Sequence, residues 1–251
     1  MLRFASRVGA VLLAAGAVAG CAQAPVTGRS QLMLIEDEQA NELGAEAWQQ
    51  IKAEMKVSSD EAARARVQQM GQKIAAASGA EGIDWEFELF EEPTPNAFAL
   101  PGGKIGVNSG LLDVAESDDQ LAAVLAHEVG HVVARHPSEQ MSQSAAIQTA
   151  LGTAGVTEGA VGALVQMATG VGQLTFSRSA ESEADRIGLE YMARAGYNPE
   201  AAIGLWQNMQ AATAGSGQPP EFLSTHPNPG NRIEAIQAAL PEVMPIYEKN
   251  R

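Results

Sequence analysis

The string His127-Glu128-Val129-Gly130-His131 constrains this chain more than any other feature. It lies in a run from Leu121 to Val133 that is almost wholly apolar apart from the motif, a pattern that predicts a helix buried on most sides. Two histidines four apart on a helix project from one face, one turn above the other. Imidazoles so placed reach one zinc ion, and a glutamate between them stands beside the open coordination position. A carboxylate there can take a proton from an attacking water and pass it to a leaving amine. The residues needed for metal-assisted peptide hydrolysis are therefore grouped. A charged Glu128 in so apolar a segment is costly unless paired, and a metal ion supplies the compensating charge. Gly130 costs about 1 kcal/mol against Ala in a helix interior, so packing or metal access must keep it there. Ser117-Asp118-Asp119-Gln120 has the form of a capping box that starts this helix.

The first twenty residues are a separate matter. Arg3 and Arg7 form a short basic region, and Val8 to Ala19 is purely apolar and glycine, long enough for a signal-peptide core and too short for a membrane span. The segment closes on Val18-Ala19-Gly20-Cys21, which resembles a bacterial lipobox, so Cys21 is expected to be the lipidated first residue of the mature protein. As the only cysteine it cannot form an internal disulfide. By resemblance to Gram-negative lipoproteins, Ala22 in place of an aspartate points to the periplasmic face of the outer membrane. With 30 acidic against 16 basic residues, the chain is a poor partner for nucleic acid or anionic lipid, so anchoring falls to acyl chains. The expected organisation is a signal peptide over residues 1–20, a lipidated cysteine and Pro/Gly-containing tether over 21–34, and one domain over 35–251.

Within that domain, Glu36 to Met55 reads as a helix with Leu43, Ala47, Ile51 and Met55 on one face. Ser58-Ser59-Asp60-Glu61 opens another that Gly79 ends. Ile83 to Leu89 alternates strictly, predicting a strand with one buried and one acidic face. Asn96 to Leu100 and Lys104 to Asn108 flank Pro101-Gly102-Gly103 and read as a hairpin. The rest is mostly helical. The fold class is thus α+β, mostly helical, with a small antiparallel sheet or hairpin beside the zinc helix.

Zinc needs a third protein ligand. His136 is one candidate, but it lies beyond the motif's helical face and is followed by Pro137. A better candidate is the acidic helix after Ser177, closed by Gly196. Glu181 and Asp185 share a face there, so one carboxylate can bind metal while the other orients a ligand histidine, whereas Glu183 points elsewhere. Further on, His226 before Pro227 and Arg232 after an Asn228-Pro229 helix start suit the oxyanion that forms as water attacks a carbonyl. His226 can equally fill the zinc's open position and hold the site shut. Ala145 to Phe176, rich in Ala and Gly with almost no charge, suits either a lid over the cleft or a buried helical hairpin.

These residues resemble the gluzincin family that includes the heat-shock protease HtpX and the CAAX prenyl proteases, most closely its small periplasmic lipoproteins. The likeness rests on Pro25 to Arg29, on Asn96-Ala97-Phe98-Ala99 with Pro101-Gly102-Gly103, on His127 to His131 with Arg135-His136, on Ser177-Arg178 with Glu181 and Ala184-Asp185, and on Ser224-Thr225-His226-Pro227 with Arg232. It departs where some bacterial relatives carry tetratricopeptide-like repeats. The resemblance implies one zinc ion per chain on His127, His131 and Glu181, with Glu128 as base, Asp185 behind the ligands, and His226 and Arg232 at the oxyanion or regulating access. It also implies unfolded or misassembled outer-membrane proteins as partners, lying extended along Asn96, Ala97, Phe98 and Ala99. The alternative is a chaperone or assembly factor whose zinc is closed by His226.

Overall fold

The computed structural model describes residues 21–151, 160–169, 175–213, 222, 226 and 231–251. The expected signal peptide therefore lies outside the described residues. So do parts of the expected lid (152–159 and 170–174) and Asn228-Pro229.

Helix α1, Asp37–Glu54, begins with Asp37 and Glu38 and carries Lys52 in its last turn, matching the helix dipole at both ends. Its buried stripe is Ala40, Gly44, Ala47, Trp48 and Ile51, rotated from the expected Leu43–Met55 line. Trp48 sets the rotation. Its indole meets Phe90 at 5.7 Å and Phe98 at 6.3 Å, both edge-on, so the largest side chain claims the centre of the buried face. Helix α2, Glu61–Ser78, starts later than Ser58 because the Asp60 carboxylate accepts from the Ala63 N–H, while the Ser58 hydroxyl accepts from the Asp60 N–H. Gly79 ends it at φ 70°.

Strand β3 runs Glu86–Phe90, β4 Ala97–Leu100 and β5 Lys104–Asn108. β4 and β5 form the expected antiparallel hairpin, with Leu100 opposite Lys104 and the turn made by Gly102 and Gly103 at φ 78° and 86°. β3 pairs with β5 in parallel, Glu86 opposite Lys104, so the sheet is mixed, with order β3-β5-β4. The acidic face of β3 is not a solvent face. Phe87 and Leu89 join the core of α2, and Phe90 packs on Trp48 of α1. Glu88 is buried under the two-pronged guanidinium of Arg64, at 2.9 and 2.8 Å, and Glu86 takes Lys52 at 2.8 Å. Paired carboxylates let an alternating strand lie between two helices.

The segment read as a tether is structured. β1, Cys21–Gln23, and β2, Ser30–Leu32, pair antiparallel around Gly28 at φ 71°. Buried Gln31 donates to the carbonyl of Ala134, at 2.6 Å, and so docks the hairpin on the end of the zinc helix.

That helix, α4, spans Asp118–Val133 and follows a short helix α3, Gly110–Val114. The Ser117 hydroxyl accepts from the Gln120 N–H at 3.2 Å, as a capping serine should. Every residue from Val124 to Val133 is buried. Arg135 at φ 62° breaks the chain from α4 into α5, His136–Leu151, where Pro137 occupies the first turn and its missing N–H costs nothing. Helix α6 is Ala160–Ala168, α7 Arg178–Arg194, α8 Ala201–Thr213 and α9 Arg232–Asn250. Leu164, Val165 and Ala168 of α6 join Trp48, Phe98 and Leu100 in one apolar cluster. The described part of the expected lid therefore packs beside β4, the sheet's edge.

Helices α4 and α7 approach each other through glycine. A Cβ on Gly130 would stand 3.0 Å from the Ala184 carbonyl oxygen, and one on Gly188 would stand 3.0 Å from the backbone of Ala126 and His127. Packing thus keeps Gly130 in the motif despite its propensity cost. Gly188→Val forces two backbones apart and should lower unfolding free energy by about 1–3 kcal/mol, the range for overpacking, in urea denaturation. A midpoint equal to wild type would show that the crossing is not tight.

Candidate metal centre

His127 and His131 stand one turn apart on α4, and their Nε2 atoms approach to 3.0 Å. The close crossing of α7 brings in Glu181, whose Oε2 is 3.4 Å from His127 Nε2 and whose Oε1 is 3.4 Å from His131 Nε2. His226 adds Nδ1, 3.4 Å from His127 Nε2 and 3.1 Å from Glu181 Oε1. All four residues are buried, and their donor atoms lie within 4.8 Å of one another.

Tetrahedral zinc with bonds of about 2.0–2.1 Å needs donors roughly 3.3–3.4 Å apart. The observed separations of 3.0–3.4 Å match that polyhedron. Three imidazoles and a carboxylate turn lone pairs to one dry point, a set that a single cation satisfies and that suits zinc. The surroundings agree. Burial alone would lower the His127 pKa, yet Asp185 and Glu181 outweigh it and push the group up to about 10. Burial would raise Glu181, but His226, His127 and His131 hold it well below the carboxylate range. Both shifts have one cause: carboxylates and imidazoles meet here, so positive charge among them is favoured.

Glu128 is fully buried beside this group, and neither carboxylate oxygen has a hydrogen-bond partner among the described residues. Its Oε1 lies 3.6 Å from His226 Nε2. Burial, the largest influence on it, pushes its pKa up. Asp185 lies behind the ligands, its Oδ1 2.9 Å from His127 Nδ1. Arg232 does more than face the cleft. It donates from Nε to Asp185 at 2.7 Å and from Nη2 to Glu181, and its guanidinium lies 3.9 Å over the Trp206 ring. Its Nη1 is buried without a partner among the described residues.

The structure adds to two expectations. Glu183 does not join the four-donor group, as expected, but it is not idle. His136, outside the four-donor group, places Nδ1 3.0 Å from His131 Nδ1 and Nε2 3.1 Å from Glu183 Oε2. Burial raises the Glu183 pKa, but hydrogen bonds from His136, Thr27 and Arg29 hold it at about 2. Asn96, Ala97, Phe98 and Ala99 do not line an open groove. They are buried, and Phe98 belongs to the cluster that includes α6. Sequence reading also missed the aromatic walls. Phe176 stacks on His131 at 4.0 Å and Phe222 on His226 at 4.4 Å, contacts that no spacing rule announces.

Comparison with known proteins agrees with this geometry. The profile described as peptidase family M48 matches residues 61–240, which include both ligand helices. The chain belongs to peptidase family M48. Its relatives include the mitochondrial metalloendopeptidase OMA1 of Schizosaccharomyces pombe, 43% identical over 171 residues, 68% of this chain and 51% of that protein. Human OMA1 is 32% identical over 245 residues, covering 89% of this chain and 47% of the relative. The beta-barrel assembly-enhancing protease of Escherichia coli is 29% identical over 191 residues, covering 72% and 39%. The chain spans about half the length of the OMA1 relatives, or less. The expected likeness to HtpX and the CAAX prenyl proteases thus holds at the level of M48, while the relatives found are OMA1 and the beta-barrel assembly-enhancing protease. The M48 domain carries a zinc metallopeptidase's ligand set, and one zinc ion fits it.

Proposed function

We propose that this M48 domain is a zinc-dependent endopeptidase, held on the periplasmic face of the outer membrane by lipidated Cys21, that cleaves unfolded or misassembled outer-membrane proteins. The observation that carries the catalytic part is Glu128, a buried carboxylate with no hydrogen-bond partner among the described residues beside four converging donors. A structural zinc site has no use for such a group.

Bound by His127, His131 and Glu181, zinc supplies a Lewis acid that acidifies water and polarises a carbonyl. Glu128, made more basic by burial, removes the proton from the attacking water and delivers it to the departing amine. The Asp185 carboxylate stands 2.9 Å from His127 Nδ1 and favours a proton on that nitrogen, which leaves Nε2 for the metal. Arg232 ties Asp185 to Glu181, and its Nη1, without a hydrogen-bond partner among the described residues, is an N–H available to developing negative charge.

His226 sits within the ligand group, which supports a resting enzyme closed by a fourth protein donor. The same placement supports the rival reading, a chaperone or assembly factor with permanently closed zinc. His226→Ala separates them: casein hydrolysis should rise severalfold if the histidine gates the site, because water gains a coordination position. A fall of about 100-fold would instead make it an oxyanion donor. No hydrolysis by either wild type or variant would favour the chaperone.

Substrate access follows from the sheet. An extended chain adding to edge strand β4 reads backbone more than side chain, which suits unfolded proteins, and it requires α6 to lift from Phe98 and Leu100. The lipobox-like ending on Cys21 and the similarity to an E. coli protease named for beta-barrel assembly support the envelope assignment. No helix among the described residues is long and apolar enough to cross a membrane. Cys21→Ser should move the protein from the outer-membrane to the soluble fraction; unchanged fractionation would remove the anchor.

A further inference from the structure

The two zinc-helix histidines are braced differently. His127 meets a carboxylate directly, Asp185, at 2.9 Å. His131 meets another imidazole, and the carboxylate stands one residue further out. We propose that His136, Glu183 and Arg29 form a relay that positions His131, which makes the segment from Thr27 to Gln31 part of the metal site.

The proposal rests on the zinc reading above, and the protons fix its direction. A histidine that holds metal through Nε2 carries its proton on Nδ1. His131 Nδ1–H faces His136 Nδ1 at 3.0 Å, so His136 Nδ1 accepts and its proton sits on Nε2. That N–H donates to Glu183 Oε2 at 3.1 Å. The Glu183 carboxylate also accepts from Arg29 Nε, at 2.6 Å, and from the Thr27 hydroxyl. Each hydrogen bond permits one arrangement, and reversing any of them places two protons or two lone pairs face to face.

The far end is fixed as firmly. Arg29 donates to both oxygens of Glu139, which also accepts from Gln31 Nε2 at 3.1 Å. Gln31 in turn holds the Ala134 carbonyl just past α4. His131 and His136 are almost fully buried, so no solvent water takes the place of a lost partner. Arg29 neutralises part of the charge on Glu139 and Glu183, and its planar fork reaches both, which a lysine cannot do. A stretch far from the motif in sequence thereby sets the tautomer and ring angle of a zinc ligand.

The test is zinc affinity by chelator competition on the purified zinc-loaded protein, with Glu183→Gln, His136→Phe and the double variant, plus Arg29→Gln. Loss of a group that orients a ligand histidine typically weakens binding about 10–100-fold. Each single variant should fall in that range while the metal-free protein, less stable by the lost buried contact, still unfolds cooperatively. The double variant should be no weaker than the worse single one, because a broken chain cannot be broken twice. Cobalt in place of zinc should show a shifted visible spectrum in each. Affinities within threefold of wild type, or losses that multiply in the double variant, would overturn the relay. If His136→Phe does not fold, Glu183→Gln with Arg29→Gln completes the same cycle. Failure of the wild type itself to bind one zinc would overturn the metal reading and the relay together, whereas a wild type that binds one zinc and loses it on Glu181→Ala, with relay variants that bind as tightly as wild type, would overturn the relay alone.

Discussion

Glu128→Gln should bind one equivalent of zinc and yet hydrolyse casein at least about 100-fold more slowly than wild type, the lower range for losing a general base. Glutamine keeps the shape of the side chain and removes its ability to accept a proton from water. Glu128 is outside the four-donor group, so its replacement leaves the metal's protein ligands in place. The variant should also be at least as stable as wild type. Wild type buries a carboxylate with neither oxygen hydrogen-bonded among the described residues, and a neutral amide removes the cost of a buried charge. Reduced hydrolysis with full zinc and an unchanged or raised melting temperature is a combination that damage to the fold cannot produce. Full activity in the variant would sink the catalytic assignment.

The second large effect is loss of the metal. Glu181→Ala removes the one carboxylate of the ligand group and leaves Arg232 without the partner it holds through Nη2. Dialysed protein should retain well under half an equivalent of zinc, measured by elemental analysis, and should be inactive. Glu183→Gln should keep a full equivalent at saturating zinc while binding it more weakly, because Glu183 acts through His136. Equal retention in both variants would show that the third ligand lies elsewhere.

The contrast between those two glutamates marks where sequence reading stops. Glu181 and Asp185 share a helical face, and that periodicity is visible in the chain. The same periodicity turned Glu183 off that face and gave it no role, because a helix wheel knows nothing of what packs against its other side. Here the other side meets His136 and the hairpin carrying Arg29, and the pairing spans 154 residues of chain. The strand at Glu86–Phe90 repeats the lesson. Its alternation was legible, but α1 and α2 cover both faces, with Lys52 and Arg64 paired to the acidic side chains. The substrate strand repeats it again: the β4–β5 hairpin was readable from its glycine turn, but its burial with α6 was not.

What the sequence determined by itself is local. The i, i+4 spacing of His127 and His131 with Glu128 between them, the serine caps of α4 and α7, and the glycine stops at Gly79 and Gly196 all act over one or two turns, where spacing equals geometry. What only the tertiary structure decided is convergence. Gly130 and Gly188 let α4 and α7 cross closely enough for Glu181 to stand 3.4 Å from both histidines, and His226 arrives from a third part of the chain. A zinc site is a set of distances of a few ångströms between residues up to 99 positions apart, and those distances are fixed by which helix faces can approach, a property of packed pairs that neither segment carries alone.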